Sequence, residues 1–307
     1  TTKVMADMLR ELFQEKYIAV VEGGRQENQA LLNEKFDYIF FTGSVNVGKY
    51  VMEKASAHLT PVSLELGGKS ANIIFNDCNW EAAIDGVQLG ILFNQGQVCC
   101  AGSRVFVQED IYDKFVAELV NAFQHINVGD PLNPETQMGA QINRHQADKI
   151  LSYVQIAKEE GATIACGGDY YTENGCEKGS FVQPTLITNV TNDMRVAQEE
   201  IFGPVAVVIK FKTEDEVIAL ANQSTYGLGG AVWTKDIHRA LRVARSIETG
   251  RMWVNTYNQI PEGAPFGGYK QSGIGRENDK AILDAYSQTK NIMINLNDAP
   301  SGFYPAK

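Results

Sequence analysis

Helical and strand patterns alternate over the first 70 residues of the chain. Apolar residues recur at helical spacing from Val4 to Phe13, and short apolar runs follow at 17–21, 37–44 and 61–68. Runs of this length, separated by polar helical segments and often closed by glycine, are typical of buried strands. Strands that alternate with helices pair in parallel. The pattern therefore predicts an α/β fold built on a doubly wound parallel sheet.

This first sheet is expected to be incomplete. The sequence opens in a helical pattern with no strand before it, and three strands make a thin parallel sheet, whose faces and edges need cover. We therefore expect residues 1–70 to be a partial domain whose upstream strands precede the sequence. Residues 71–270 are predicted to form a larger α/β domain, and residues 271–307 a C-terminal return with a strand at about 289–296. Elements predicted after residue 70 are helices at 80–93, 113–123 and 146–161, strands at 104–108, 205–211 and 251–255, and a glycine-rich loop at 265–278.

Composition excludes several classes of protein. The 37 acidic and 27 basic side chains give a net charge of −10, which argues against a general nucleic-acid binder. No apolar run approaches the length of a membrane-spanning helix. The odd number of cysteines and the lack of a C-x-x-C pair favour a reduced, cytoplasmic setting. The four histidines show no metal-ligand spacing, so no metal site is predicted.

The segment NQGQVCCAGSR (94–104) contains a candidate nucleophile, Cys99. Its small, glycine-rich surroundings would let a substrate carbonyl approach the thiol, and nearby backbone amides could stabilise an oxyanion. Free cysteine is also a common small buried residue. Composition alone favours that structural interpretation, so this motif by itself does not show whether Cys99 is a nucleophile or a buried core residue.

The segment LELGGKS (64–70) contains a candidate base, Glu65, in an otherwise apolar strand. A carboxylate in such a place is costly unless it is exposed, paired or functional. Desolvation would raise its pKa and make it a better base near neutral pH. A structural ion pair accounts for this residue equally well.

The sequence of the segment GSVNVGKY (43–50) nearly matches the motif of a phosphate-binding P-loop. Tyr50 stands where a P-loop needs serine or threonine for magnesium. A strand–loop–helix setting suits other phosphate sites as well, because helix N-termini attract anions. A nucleoside triphosphatase is therefore disfavoured. The G-x-G-x-x-G fingerprint is absent after the run at 17–21.

Taken together, these motifs resemble the aldehyde dehydrogenases. The family pairs a glutamate in LELGGK with a cysteine in GQ-x-C, here 34 residues later (99 − 65). FTGS (41–44) with Gly48, EEIFGP (199–204) and PFGGYKQSGIGRE (265–277) match the family in order and spacing. The resemblance runs from about residue 17 to 297. The cofactor loop is more similar to the class 3 branch, and the later motifs to the class 1 and 2 enzymes.

The resemblance implies oxidation of an aldehyde to a carboxylic acid with NAD or NADP. Residues 1–70 would be the partial NAD(P)-binding domain and residues 71–270 the catalytic domain. Cys99 would attack the aldehyde, giving a thiohemiacetal and then a thioester, and Glu65 would activate the hydrolytic water. Glu65 also favours hydrolysis over acyl transfer to CoA. The implied cofactor-binding residues are Gly43, Ser44, Gly48, Leu66, Gly67, Gln146, Glu200 and Phe202.

The same resemblance implies a substrate channel and an assembly. The segment 256–265 would line the path of a small-molecule aldehyde, with Tyr257 able to stack on it. The strand at 289–296 would pair across a subunit interface, giving a homodimer or homotetramer in the complete protein. Neither nucleic acid nor a membrane is an expected partner.

The sequence lacks two motifs that the family carries in its N-terminal part. The PWN motif, whose asparagine is the second oxyanion donor, and the K-P-S/A-E motif, which binds the adenosine ribose, do not occur. We therefore expect an N-terminally truncated fragment with little or no dehydrogenase activity alone, because one lost oxyanion donor costs about 10²–10³ in turnover. Two alternatives stay open: a cofactor-independent thiol esterase, and a non-catalytic fragment that binds a partner.

Overall fold

A small sheet carries the first part of the chain in the computed structural model, which describes residues 1–304. Strands β1 (Ile39–Thr42) and β2 (Val62–Glu65) are parallel, and helix α3 (Val45–Ser56) connects them. Both strands were predicted from the apolar runs at 37–44 and 61–68. Val51 on the helix packs against Leu64 and Leu66, so the crossover covers one face of the sheet.

The third strand of this sheet comes from the far end of the chain. The glycine-rich segment predicted as a loop contains two short strands, β11 (Tyr269–Lys270) and β12 (Gly273–Ile274). Strand β12 pairs antiparallel with β2, with Gly273 opposite Glu65. Strand β11 pairs with β8 (Tyr226–Gly227). Backbone pairing with β12 therefore holds the C-terminal end of β2.

The strand predicted at 17–21 does not form, and that prediction was wrong. Tyr17 is 75% exposed and Val21 59% exposed, and among residues 1–304 no strand pairs with this segment. An apolar run becomes a strand only when a neighbouring strand satisfies its backbone groups. Here the run follows helix α1 (Thr2–Leu12) as irregular backbone before helix α2 (Arg25–Leu31).

A seven-stranded sheet forms the centre of the larger region. Its order is β10-β9-β3-β4-β7-β6-β5, and only the β5–β6 pair is antiparallel. The predicted strands at 104–108, 205–211 and 251–255 are confirmed. The strands are β3 (Ala71–Ile74), β4 (Arg104–Gln108), β5 (Thr163–Cys166), β6 (Thr185–Thr188), β7 (Val205–Phe211), β9 (Gly229–Trp233) and β10 (Arg251–Val254).

Helices cover this sheet on both faces, which confirms the α/β fold. Val105 and Val107 of β4 belong to one apolar core, whereas Phe106 belongs to the other. Side chains of a strand alternate between its faces, so a strand buried on both sides is apolar throughout. The helices of this region are α4 (Trp80–Leu92), α5 (Tyr112–Gln124), α6 (Arg144–Glu159), α7 (Arg195–Gln198), α8 (Glu214–Asn222) and α9 (Ile237–Ser246). The short helix α10 (Ile282–Ala285) follows the two short strands of the glycine-rich segment.

The segment predicted as a strand at 289–296 is irregular in the described chain. Met293 and Leu296 are almost fully exposed. The backbone of 289–296 has no neighbouring strand within residues 1–304, which is the physical reason that no strand forms. Its pairing with another subunit stays a prediction, and residues 305–307 of the predicted C-terminal return lie outside the described residues.

Candidate active site

A cavity of about 520 Å³ lies between the end of β2, the start of α3 and the loop after α4. Gly48 and Leu66 are the predicted site residues that do not line it. They pack against each other instead. The contact is so close that a Cβ added to Gly48 would lie 2.6 Å from the Leu66 side chain. This contact fixes α3 against the end of β2. The predicted residues that line the cavity are Gly43, Ser44, Glu65, Gly67, Cys99, Gln146, Glu200 and Phe202.

Sequence reasoning missed four lining residues: Thr42, Gln97, Val98 and Lys149. Thr42, Gln97 and Val98 are direct neighbours of residues already singled out. Lys149 lies one helical turn after Gln146 on α6, so helical spacing could have indicated it.

Glu65 is the last residue of β2, and strands on both sides hold its backbone. Thr42 of β1 and Gly273 of β12 are its register partners, and the amide of Gly43 donates to its carbonyl at 3.0 Å. The side chain is 5% exposed, and neither carboxylate oxygen has a hydrogen-bond partner among the described residues. Burial raises the pKa of Glu65 to about 8, and the nearby charges of Cys99 and Glu277 act in the same direction.

Cys99 lies in a tight turn at the edge of the cavity. The amide of Ala101 donates to the carbonyl of Val98 at 3.1 Å, so Cys99 and Cys100 are the two central residues of this turn. Cys99 is half-buried, whereas Cys100 is buried. The pKa of the Cys99 thiol is lowered, chiefly by its interaction with the neighbouring Cys100 thiol and further by the backbone of both residues, against the opposing effect of burial. The same interaction between the two thiols, followed by burial, raises the pKa of Cys100.

The EEIFGP segment contributes Glu200 and Phe202 to the cavity wall. The amide of Gly68 donates to Oε1 of Glu200 at 3.1 Å, and burial raises the pKa of Glu200. Gln146 holds this segment from α6, because its Nε2 donates to the carbonyl of Phe202 at 2.8 Å. Lys149 adds a contact from its Nζ to the carbonyl of Glu200 at 3.4 Å.

The start of α3 supplies the remaining wall. Ser44 is the N-cap of α3, and its hydroxyl accepts from the amide of Val47 at 3.5 Å. Thr42 and Gly43 precede it and also line the cavity. A helix N-terminus offers free backbone amides and a partial positive charge, so this wall favours an anionic group.

A buried lysine, Lys69, follows two residues after Gly67, which lines the cavity. Lys69 is 2% exposed, and its Nζ has no hydrogen-bond partner within residues 1–304. Burial lowers its pKa to about 7, and the neighbouring Arg104 guanidinium acts in the same direction. Arg104 itself is well satisfied, since it donates to the carbonyls of Lys69, Leu220 and Ala221.

One predicted contact is wrong. Tyr257 was expected to be able to stack on a substrate, but its side chain is 1% exposed and lies in the apolar core. Gly90 and Gly102 lack side chains and so leave the space that its ring fills.

Within residues 1–304 no group of three His, Cys, Asp or Glu side chains is placed to hold a metal ion. None of the described helices is both long enough and apolar enough to cross a bilayer.

Comparison with known proteins decides the family. The model of the aldehyde dehydrogenase family matches residues 1–292. The chain belongs to this family. Among curated relatives, the betaine aldehyde dehydrogenase of Brucella anthropi is 48% identical over 285 residues, which is 92% of this chain and 58% of that protein.

Solved aldehyde dehydrogenase structures share the fold. The betaine aldehyde dehydrogenase of Staphylococcus aureus in complex with NAD+ is 43% identical, with a TM-score of 0.91 over 93% of this chain and 57% of that one. A point mutant of the aldehyde dehydrogenase from Bacillus cereus is 44% identical, with a TM-score of 0.85 over 88% of this chain and 55% of that one. The chain therefore spans somewhat more than half the length of these relatives.

Proposed function

We propose that this chain carries the catalytic thiol and the hydrolytic base of an NAD-dependent oxidation of aldehydes to carboxylic acids. The observation that supports it is that Cys99 and Glu65 line one cavity. The pKa of Cys99 is lowered and that of Glu65 is raised, as a nucleophile and a base require. A lowered pKa increases the thiolate fraction of Cys99. A pKa of about 8 makes Glu65 a base that is effective close to neutral pH.

The residues around the cavity fit a nicotinamide dinucleotide. The N-terminus of α3 at Ser44 suits an anionic pyrophosphate. The Glu200 carboxylate is a hydrogen-bond acceptor for ribose hydroxyls at the other wall. Gly67 makes room there, because a Cβ at this position would lie 2.3 Å from Oε2 of Glu200. The volume of about 520 Å³ is usual for a site that holds part of a cofactor.

The first steps take place on Cys99. Its thiolate adds to the carbonyl carbon of the aldehyde and forms a tetrahedral thiohemiacetal. The amide of Cys99 donates to no backbone carbonyl among the described residues, so once the sulfur has bonded to carbon and lost its charge, this amide can stabilise the developing oxyanion. NAD, when bound, supplies the acceptor for the hydride that leaves the thiohemiacetal. Cys99 is then left as a thioester.

The last step depends on Glu65. Its carboxylate removes a proton from water, and the resulting hydroxide attacks the thioester carbon. The carbon–sulfur bond breaks, which releases the carboxylic acid and restores the Cys99 thiolate. One aldehyde, one water and one NAD+ are consumed, and one carboxylic acid, one NADH and one proton are formed. A buried base that has no competing hydrogen-bond partner in the described part of the chain suits this role.

The proposed substrates are small aldehydes. Similar relatives are named betaine aldehyde dehydrogenases, so betaine aldehyde is the first compound to test, beside an uncharged aldehyde such as propanal. The assay is the rise of NADH absorbance with purified chain, aldehyde and NAD. We expect a slow rise that Cys99→Ser abolishes. Cys176→Ser, which removes a buried thiol outside the cavity, should leave the rate unchanged, and equal rates in the two variants would contradict the proposal.

A thiol esterase is the second candidate function. The observation that favours it is that the hydrolytic half of the reaction needs only Cys99 and Glu65, both of which line the cavity. An activated ester would acylate the thiol directly, with no change in oxidation state. Hydrolysis of 4-nitrophenyl acetate without NAD, combined with no NADH formation from any aldehyde, would favour this function over the first.

We also propose that the segment 289–296 pairs with a strand of a second subunit. Its apolar side chains, such as Ile292 and Ile294, are at least 71% exposed, and an unpaired apolar segment is a ready template for pairing with another chain. Size-exclusion chromatography with light scattering tests this. A dimer or larger assembly is expected, and a monomer at micromolar concentration would contradict it.

A further inference from the structure

Tyr257 fills a space that two glycines create next to the catalytic turn. Its ring lies against Gly90 of α4, where a Cβ would be 3.3 Å from three ring atoms, and against Gly102, where a Cβ would be 3.0 Å from the hydroxyl oxygen. The ring of Trp253 lies at a centroid distance of 4.7 Å. The side chain is therefore fixed on several sides and has little freedom to move.

The hydroxyl of Tyr257 is directed at the backbone of the turn. It donates to the carbonyl of Cys100 at 2.8 Å. The preceding carbonyl, that of Cys99, is also confined, because a Cβ on Gly68 would lie 2.4 Å from it. Two successive carbonyls of the turn are thus held in place, one by a hydrogen bond and one by close packing.

We propose that Tyr257 is a positioning residue for the Cys99 thiol, which it orients through the carbonyl of Cys100. The inference rests on the proposed function, in which Cys99 is the nucleophile. Tyr257 is buried and does not reach the cavity, so its effect on the thiol passes through the backbone of the turn.

The turn matters because Cys99 and Cys100 are its two central residues, so its backbone dihedral angles set the direction of the thiol relative to the amides around it. Those amides and the Cys100 thiol lower the pKa of the Cys99 thiol. If the Cys100 carbonyl lost its hydrogen bond, the turn would relax and these groups would align less well with the sulfur. The thiol would then ionise at higher pH and react more slowly at neutral pH.

Tyr257→Phe tests the proposal, because it keeps the ring and removes the hydroxyl. The measurement is the rate at which iodoacetamide alkylates Cys99, followed by peptide mass spectrometry between pH 5 and 10. Loss of one hydrogen bond predicts a rate at pH 7 that is about fivefold lower and a pH midpoint displaced upward. A purely structural role would leave the midpoint unchanged.

The matched control is Tyr153→Phe, which removes a tyrosine hydrogen bond of the same length, 2.8 Å, to Glu199. This variant should reproduce the wild-type profile. If Tyr257→Phe does not fold, as judged by circular dichroism, Gly102→Ala is the second test, because its methyl group would push the tyrosine hydroxyl away from Cys100. The same upward displacement is expected from that variant.

The outcomes separate the inference from the proposed function. A reactive Cys99 in the wild type with an unchanged profile in Tyr257→Phe, or in Gly102→Ala if that variant is used, overturns the inference and leaves the proposed function standing. A wild-type Cys99 that is alkylated no faster than the buried Cys176 overturns the proposed function, and the inference with it.

Discussion

Gly96 lies directly against the backbone of Gly203. A Cβ on Gly96 would be 2.2 Å from the carbonyl carbon and oxygen of Gly203, and Gly96 has a φ of +72°. The contact joins the thiol-bearing GQ-x-C segment to the EEIFGP segment, and both segments line the cavity. Only a residue without a side chain meets both requirements at this position.

Gly96→Ala should destabilise the chain by about 2–4 kcal/mol, because backbone strain adds to overpacking. Gly161→Ala is the matched control: its φ is +86°, but a Cβ there would have no atom within 4 Å. Strain alone should cost about 1 kcal/mol at that site. Urea unfolding of both variants measures the difference. Equal losses of unfolding free energy would show that the contact with Gly203 is not tight.

Glu65→Gln should become more stable than the wild type as the pH rises. The pKa of Glu65 is raised to about 8 in the folded chain, so the folded state holds a proton that the unfolded state has lost. The wild type therefore loses unfolding free energy between about pH 4.5 and 8, by at most about 1.4 kcal/mol per pH unit. Gln cannot ionise and shows no such loss.

Urea unfolding of wild type and Glu65→Gln at pH 5 and pH 8.5 measures this effect. The difference in unfolding free energy between the two proteins should grow by at least about 2 kcal/mol over this interval. A difference that stays constant would mean that Glu65 ionises at its ordinary pKa and is not desolvated.

Lys69→Met should stabilise the chain more at low pH than at high pH, which is the opposite of the pH dependence expected for Glu65→Gln. The pKa of Lys69 is lowered to about 7, so the unfolded state holds a proton that the folded state lacks between about pH 7 and 10.5. The wild type therefore loses stability as the pH falls through this range. The Lys69 ammonium is buried and has no hydrogen-bond partner within residues 1–304, so methionine in its place should stabilise the chain by about 1–4 kcal/mol at pH 6. Thermal unfolding at pH 6 and pH 10 checks it, and a gain that is no larger at pH 6 than at pH 10 would contradict it.

Local sequence patterns predicted three of the seven strands of the larger sheet, and motifs predicted the pair Cys99 and Glu65. The strands at 104–108 and 205–211 are apolar throughout because helices cover both faces of the sheet. Cys99 and Glu65 were singled out by their chemical surroundings and by their motifs, and both line the cavity.

Features that depend on distant contacts were beyond those patterns. The run at 17–21 has the composition of a strand but pairs with no strand among residues 1–304. The third strand of the small sheet is Gly273–Ile274, which no local pattern connects to β2. Tyr257 was placed near the substrate because its segment precedes PFGG. Gly90 and Gly102 open a buried space for its ring instead, and only the folded chain brings those residues together.

The most direct test of the account is the mass of Glu65→Gln after incubation with an aldehyde and NAD. This variant should form the thioester and hydrolyse it slowly, so we predict an added acyl group that peptide mapping places on Cys99. The adduct should require NAD and should be absent from a Cys99→Ser, Glu65→Gln double variant. No adduct, an adduct on another residue, or the same adduct without NAD would contradict the assignment of Cys99 as nucleophile and Glu65 as hydrolytic base.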